Sequence, residues 1–220
     1  MRYLRQQDLC PPEALQSLSV TMIGCGAVGS FTALALAKMG VGALTLYDPD
    51  TVEEHNLPVQ FFANMDLGKP KVTALATQLA SMTEARVRAI PEAYEGQALD
   101  GVVISALDSM TARRRTWRGL SGRRDIPLYI DARMGAMVGQ VLTVRPGGPI
   151  EELAYRRTLH SQSEALEEPC TARAVVFTVL GLSAIIAGLI RTHIVGETVP
   201  REVLQDFRLG VLMVDGRAAA

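Results

Sequence analysis

Ser19–Asp48 reads SVTMIGCGAVGSFTALALAKMGVGALTLYD, a strand, a glycine turn, a helix and a second strand in succession. Ser19–Ile23 is a short β-prone run, and Gly24, Gly26 and Gly29 follow at once as GxGxxG. The spacing then predicts a helix from about Val28 to Met39, stopped by Gly40, and a strand over Ala43–Tyr47. A βαβ unit of this length implies a parallel sheet. The glycines allow a tight turn and let backbone N–H groups approach a phosphate at a helix N-terminus. Asp48 closes the second strand, where an acid that binds a ribose is expected. These features alone describe a Rossmann-type nucleotide site, for which NAD is the commonest ligand. A glycine turn that binds nothing is the plainer alternative.

Working outward, Lys71–Met82 is predicted to be a helix, Arg86–Ile90 a third strand and Gly101–Ser105 (GVVIS) a fourth. That fourth run is almost wholly apolar, as buried parallel strands are. An arginine-rich helix is expected from about Ser109 to Gly119, with strands at Leu128–Ala132 and Gly139–Val144. Residues 1–17 read as a polar arm with a short helix after Pro11-Pro12. Pro146–Pro169 reads as a loop, and the end of the chain as a short tail.

The net charge of −1 gives no bulk attraction to nucleic acid or to an anionic membrane, so neither is an expected partner. Cys10, Cys25 and Cys170 stand far apart with no CxxC pair, which argues against disulfides and against a cysteine-based zinc site. No secretory signal opens the chain, and the cytoplasm is the expected location. Ala174–Ile190 is uncharged and bracketed by arginines. It is short for a span of roughly twenty residues, and its small residues suit close packing, so a buried core or interface helix is expected rather than a membrane span.

The segment after Asp48 is unlike a dehydrogenase. DPDTVEEHNLPVQ (Asp48–Gln60) followed by GKPK (Gly68–Lys71) resembles the ThiF/MoeB/HesA adenylation domains, relatives of the ubiquitin-activating enzymes. RYLRQ (Arg2–Gln6) and DARMGAMVGQVLTVRP (Asp131–Pro146) resemble them too, so the likeness runs from Arg2 to about Glu197. It implies an α/β, Rossmann-like open sheet, parallel in its N-terminal half with later antiparallel strands and helices on both faces. The expected layout is a single domain over 1–220, with a nucleotide-binding half at 18–110 and a partner-binding half at 111–220.

The resemblance implies ATP and Mg²⁺ as the chemistry's requirements, and a carboxylate as the group activated. That carboxylate is expected to be the C-terminus of a small ubiquitin-like or sulfur-carrier protein. Gly24, Gly26, Gly29, Asp48, Asp50, Asn56, Gln60 and Lys71 then form the nucleotide site, with Asp48 on the ribose and Lys71 as a cation for the phosphates. Asp108 ends the fourth strand and would hold the metal, which favours one or two carboxylates plus phosphate oxygens. Arg5 corresponds to an arginine that reaches a neighbouring subunit's site, which implies a homodimer. Cys170 would accept the activated acyl group or take part in sulfur transfer, provided it is a thiolate.

Plainer readings stand beside these. Lys69 and Lys71 are otherwise the solvated start of a helix, Asn56 a turn former, and Asp108 an N-cap for the arginine-rich helix. Cys170 is otherwise an apolar filler, and Cys25 a spacer in the turn. One departure matters: the family's NLxRQ is NLPVQ here, so Val59 stands where an arginine contacts phosphates. Either Arg113, Arg114 or Lys69 substitutes for it, or turnover is weakened. The competing functions are a weak or inactive scaffold subunit and an NAD(P)-dependent oxidoreductase.

Overall fold

The computed structural model describes residues 2–159, 174–215 and 217–218. Cys170 and His160 lie outside the described residues. After a short helix α1 (Pro12–Ser17), β1 (Ser19–Ile23), α2 (Ala27–Met39) and β2 (Ala43–Tyr47) form the expected unit. Then come α3 (Lys71–Met82), β3 (Arg86–Ile90), β4 (Val102–Ser105), α4 (Met110–Leu120), β5 (Tyr129–Gly135) and β6 (Val138–Val144). The chain closes with α5 (Pro149–Arg156), α6 (Val176–Ile194), β7 (Glu202–Asp206), β8 (Val211–Val214) and β9 (Arg217–Ala218).

All the described strands join one sheet in the order β3-β2-β1-β4-β5-β6-β7-β8-β9. Pairing is parallel from β3 through β5 and antiparallel from β5 onward. Strand residues alternate between the two faces, as the pleat requires. Val20, Met22, Val102, Ile104, Ile130 and Val141 join the larger core under α2, α3 and α6. Ile23, Val103, Tyr129, Leu142 and Val144 join a second core with Trp117 of α4 and Tyr155 of α5. Helices thus cover both faces.

The apolar run has the length and composition of a membrane span over Val176–Ile194, and here it is α6, lying against α2 and β6. Thr32 Oγ1 donates to Ser183 Oγ at 3.2 Å between those two helices. Two expectations are corrected. The loop expected over Pro146–Pro169 contains α5, and the expected C-terminal tail is instead the strands β7 to β9. The helix α5 is short and buries only Tyr155, and β7 and β8 are short and mostly half-buried, so local pattern alone does not set them apart from loop.

β1 and β4 are neighbours, while the chain leaves β1 towards β2 and returns through β3 to the far side of β1. The strand order reverses between them, and in open α/β sheets the crevice beyond the carboxyl ends at such a point is where ligands bind.

Candidate functional site

Two turns meet at that crevice. The first leaves β1 at Gly24, which has φ +92° and donates its N–H to Tyr47 O at 2.8 Å. A Cβ on Gly24 would lie 2.4 Å from Ala106 O of the second turn, and one on Gly29 would lie 1.9 Å from Gly24 O. Both glycines are therefore required by packing. Gly26 differs, because a Cβ there would meet nothing nearer than Gln60 Nε2 at 3.9 Å. The molecule's own contacts do not demand glycine at Gly26, and the space above it is open to a ligand. Gly26 also N-caps α2 without any side-chain cap, so the first N–H groups of that helix face the same space.

Asp48 stands behind this turn with 5% exposure. Its Oδ2 accepts the Cys25 N–H at 2.6 Å and its Oδ1 accepts the Asp50 N–H at 2.9 Å. Burial raises its carboxyl pKa, while those two N–H bonds and Lys71 pull the other way. The carboxylate fixes the turn and retains lone pairs for a further donor. Beside it, Cys25 is fully buried, and burial first, then Asp48, push its thiol well up. That keeps Cys25 a neutral spacer, as the sequence suggested.

Lys71 opens α3 with 6% exposure, and its Nζ donates to Asp50 Oδ2 at 2.8 Å. The Asp50 side chain is 62% exposed, so the pair has one wet partner. Asn56 is buried and its Oδ1 accepts the Glu53 N–H at 2.9 Å, which is the turn-forming role. Ser30 Oγ accepts the Phe61 N–H at 2.9 Å, which pins the Gln60–Phe61 stretch over the first turn of α2. Gln60 Nε2 therefore sits beside Gly26, while its buried Oε1 has no hydrogen-bond partner among the described residues. A nucleotide is one source of the missing donor.

The second turn carries Asp108, which is exposed and makes no hydrogen bond or ion pair among the described residues. It is not the N-cap of α4. Ser109 is, with its Oγ accepting the Ala112 N–H at 3.2 Å. One free carboxylate beside an uncapped helix N-terminus fits a Mg²⁺ brought in with a nucleotide, whose remaining ligands would be phosphate oxygens and water. No cluster of three or more His, Cys, Asp or Glu able to hold a metal by itself occurs among the described residues.

The three candidates to replace the arginine missing at Val59 are all engaged. Lys69 Nζ donates to Asp66 at 3.3 Å, and Arg114 Nη2 reaches Leu159 O at 3.4 Å. Arg113 is 6% exposed. It donates to Asp131 Oδ1 at 3.1 Å, to Ala132 O at 3.2 Å and to Leu107 O, the residue before Asp108. Arg113 thus braces the second turn from within and does not face the crevice as a phosphate cation. Its partner Asp131 is wholly buried and also accepts from Arg133 at 2.8 Å, Tyr155 at 3.0 Å and Ser105 at 3.0 Å. This network was missed in the sequence. The signal was an aspartate inside the apolar strand YIDA, since a buried charge must be paired.

Arg5 is not brought to the crevice. With Arg2, Tyr3, Gln6, Lys38 and Thr83 it lines a recess of about 390 Å³ at the C-terminal ends of α2 and α3. The length of α2 alone, about 20 Å at ~1.5 Å per residue, separates it from Gly26. Within one chain Arg5 cannot touch a nucleotide at the glycine turn.

The ThiF family model matches residues 6–208. Over 202 residues the chain is 29% identical to the sulfur carrier protein ThiS adenylyltransferase of Escherichia coli, covering 86% of this chain and 78% of that protein. It is 33% identical over 133 residues to the tRNA threonylcarbamoyladenosine dehydratase of Bacillus subtilis, covering 56% of this chain and 51% of that one. Among solved structures, E. coli MccB with ATP superposes with a TM-score of 0.72 at 17% identity, over 95% of this chain and 66% of MccB. The MccB likeness is one of fold. The chain spans about half the length of the Bacillus protein and about two thirds of MccB.

Proposed function

The chain belongs to the ThiF family, and from that premise we propose that it adenylates the C-terminal carboxylate of a small protein, with MgATP as co-substrate. A carboxylate oxygen attacks the α-phosphorus of ATP. The bond from that phosphorus to the bridging oxygen breaks, pyrophosphate departs, and an acyl-adenylate remains. The observation that carries this reading is the meeting of the two turns. Gly26 leaves open space at a bare helix N-terminus, Lys71 stands behind it, and the free Asp108 closes the other side. Stabilising phosphate charge is the main task in such transfers. The N–H groups of α2 and Lys71 would supply it, with Asp108 as the metal's protein ligand, Asp48 on the ribose and Gln60 over the phosphates.

Arg5 serves this chemistry only from a second copy of the chain, so the reading includes a homodimer. Cys170 remains a proposed acceptor for the acyl group. ATP–pyrophosphate exchange tests the reading, run with small proteins ending in Gly-Gly and with Asp108→Ala and Cys170→Ala variants. Exchange lost in Asp108→Ala and kept in Cys170→Ala places the cysteine after adenylation. The reading fails if MgATP does not bind and no carboxylate supports exchange.

One observation favours a second reading, a scaffold subunit with slow turnover. Val59 leaves the crevice one cation short, and Lys69, Arg113 and Arg114 are all engaged elsewhere. Val59→Arg decides between the two: faster exchange with unchanged MgATP affinity marks a working enzyme limited by charge. The nicotinamide-dependent reading finds no support in the family match.

A further inference from the structure

The formal charge is unevenly placed. Residues 109–159 carry ten arginines, no lysine and four acidic groups, within a chain whose net charge is −1. Two of those arginines, Arg113 and Arg133, are used internally by Asp131. Arg118, Arg124, Arg145, Arg156 and Arg157 are exposed, and none makes an ion pair among the described residues.

Arg118, Arg124, Arg145 and Arg156 gather along one line. α4 and α5 lie antiparallel: Arg114 meets Leu159 O, Trp117 packs on Tyr155 with ring centroids 4.7 Å apart, and Ser121 Oγ donates to Glu152 Oε2 at 2.9 Å. Arg118 follows Arg114 by four residues and precedes Ser121 by three, so it lies on the side of α4 turned towards α5. Arg156 follows Glu152 by four and precedes Leu159 by three, which puts it across the seam. At the lower end, Glu152 binds the Gly122 and Gly147 N–H groups and Gly147 lies against Arg124, with Arg145 on the same turn.

The seam leads to the candidate site. α4 starts immediately after Asp108 and Ser109, so Arg118 stands about 15 Å from the Asp108 turn at ~1.5 Å rise per residue. An extended tail of about five residues covers that distance at ~3.3 Å each.

We infer that the α4–α5 seam is the docking surface for the folded body of an acidic small protein, whose flexible C-terminal tail of about five residues runs along α4 to the carboxylate-activating crevice. This rests on the adenylation reading for the fate of the tail. Guanidinium groups pair with carboxylates in bidentate fashion, and complementary charge steers such encounters. A nucleic acid fits less well. The aromatic residues of this region, Trp117, Tyr129 and Tyr155, are buried and offer no face to a base, and the chain as a whole is slightly acidic.

The test is fluorescence anisotropy on the full chain at low salt with two labelled probes, a peptide of eight glutamates ending in Gly-Gly and a single-stranded RNA twenty nucleotides long. The peptide is expected to bind, to weaken about tenfold in Arg118→Glu/Arg156→Glu, and to hold within about twofold in Arg86→Glu/Arg88→Glu on the far sheet edge. No binding, or equal losses in both double variants, overturns the seam, as does RNA binding more tightly than the peptide and lost in the seam variant. MgATP-induced thermal stabilisation, measured on the same proteins, should survive in the seam variant. If MgATP never stabilises the wild type while the peptide still binds the seam, the adenylation reading falls and the acidic-protein surface stands.

Discussion

Asp48 follows β2 at the crevice and Asp131 lies inside β5 opposite the end of β4; both are buried, and they are satisfied in opposite ways. Asp48 is held by backbone: the N–H groups of Cys25 and Asp50 take both of its oxygens, and its nearest cation, Lys71, bonds to Asp50 instead. Asp131 is held by side chains: Arg113, Arg133, Tyr155 and Ser105 converge on it from α4, β5, α5 and β4. The parallel half thus shapes its turn with local backbone bonds and keeps side chains for a ligand. The antiparallel half ties distant elements together through one charge. Function and stability are separated accordingly, and substitutions in the two halves should report on different quantities.

The largest effect is expected at Asp131. Asp131→Ala leaves two guanidinium groups without their carboxylate, and losing one partner of a buried pair costs about 3–5 kcal/mol. Urea unfolding should show it, and a loss under about 1 kcal/mol would mean that the network carries no such weight. Asp48→Ala leaves two N–H groups unpaired but strands no charge, so about 1–3 kcal/mol is expected. Equal losses at the two sites would mean that backbone-held and side-chain-held carboxylates carry the same weight. Gly29→Ala should follow closely, at about 1–3 kcal/mol or more, because its Cβ would drive into the Gly24 carbonyl oxygen.

The parallel half was legible in the sequence almost to the residue. Ser19–Ile23, Ala43–Tyr47, Lys71–Met82 and Arg86–Ile90 fall as expected, since the first two are apolar-rich runs beside glycine punctuation, the third has a helical period and the fourth alternates as an edge strand does. The antiparallel half was less so. α5 shows one buried residue in eight, and β7 joins the sheet through β6, a partner far earlier in the chain, which no local pattern reveals. At the site, Gly24, Gly26, Gly29, Asp48, Gln60 and Lys71 come together round one turn, while Asn56 braces the segment that carries Gln60. What each touches was not legible. Arg113 read as a candidate phosphate cation alongside Arg114 and Lys69, and only the tertiary placement of Asp131 singles it out. Asp108 read as a possible cap until Ser109 was seen to fill that role.

Acid should separate the halves by sign. Burial alone would raise the Glu152 pKa, but the N–H groups of Gly122 and Gly147, with Ser121 and Arg156, outweigh it and hold the carboxyl below its ordinary range. A depressed folded pKa gives stability that is present above the ordinary glutamate range and lost as pH falls through the folded value. Asp48 runs the other way. Its raised folded pKa means that stability declines as pH climbs from the ordinary aspartate range through the raised value. Glu152→Gln should therefore flatten the acid-side loss seen in urea midpoints between pH 3 and 6, roughly the ordinary carboxylate window. Asp48→Asn should steepen it. The same change of slope in both variants would contradict the opposed environments. Because Glu152 is only partly buried, the effect should be smaller than those at Asp131 and Gly29.

The smallest expected change in stability is at Gly26, and it is the most informative for function. Gly24, Gly26 and Gly29 look equivalent in the sequence, yet a Cβ collides with backbone at the first and third and meets only Gln60 Nε2, 3.9 Å away, at the second. If Gly26 is glycine for the sake of a phosphate, Gly26→Ala should unfold within about 1 kcal/mol of the wild type, as substitutions away from packed contacts do. It should nevertheless lose MgATP-induced thermal stabilisation, since the methyl group occupies the space above the helix N-terminus where phosphate oxygens would meet the N–H groups. A variant that is stable and still binds MgATP would show that the open space over Gly26 is not the phosphate site. The free Asp108 and the partly engaged Lys71 would then have to be explained without a triphosphate between them.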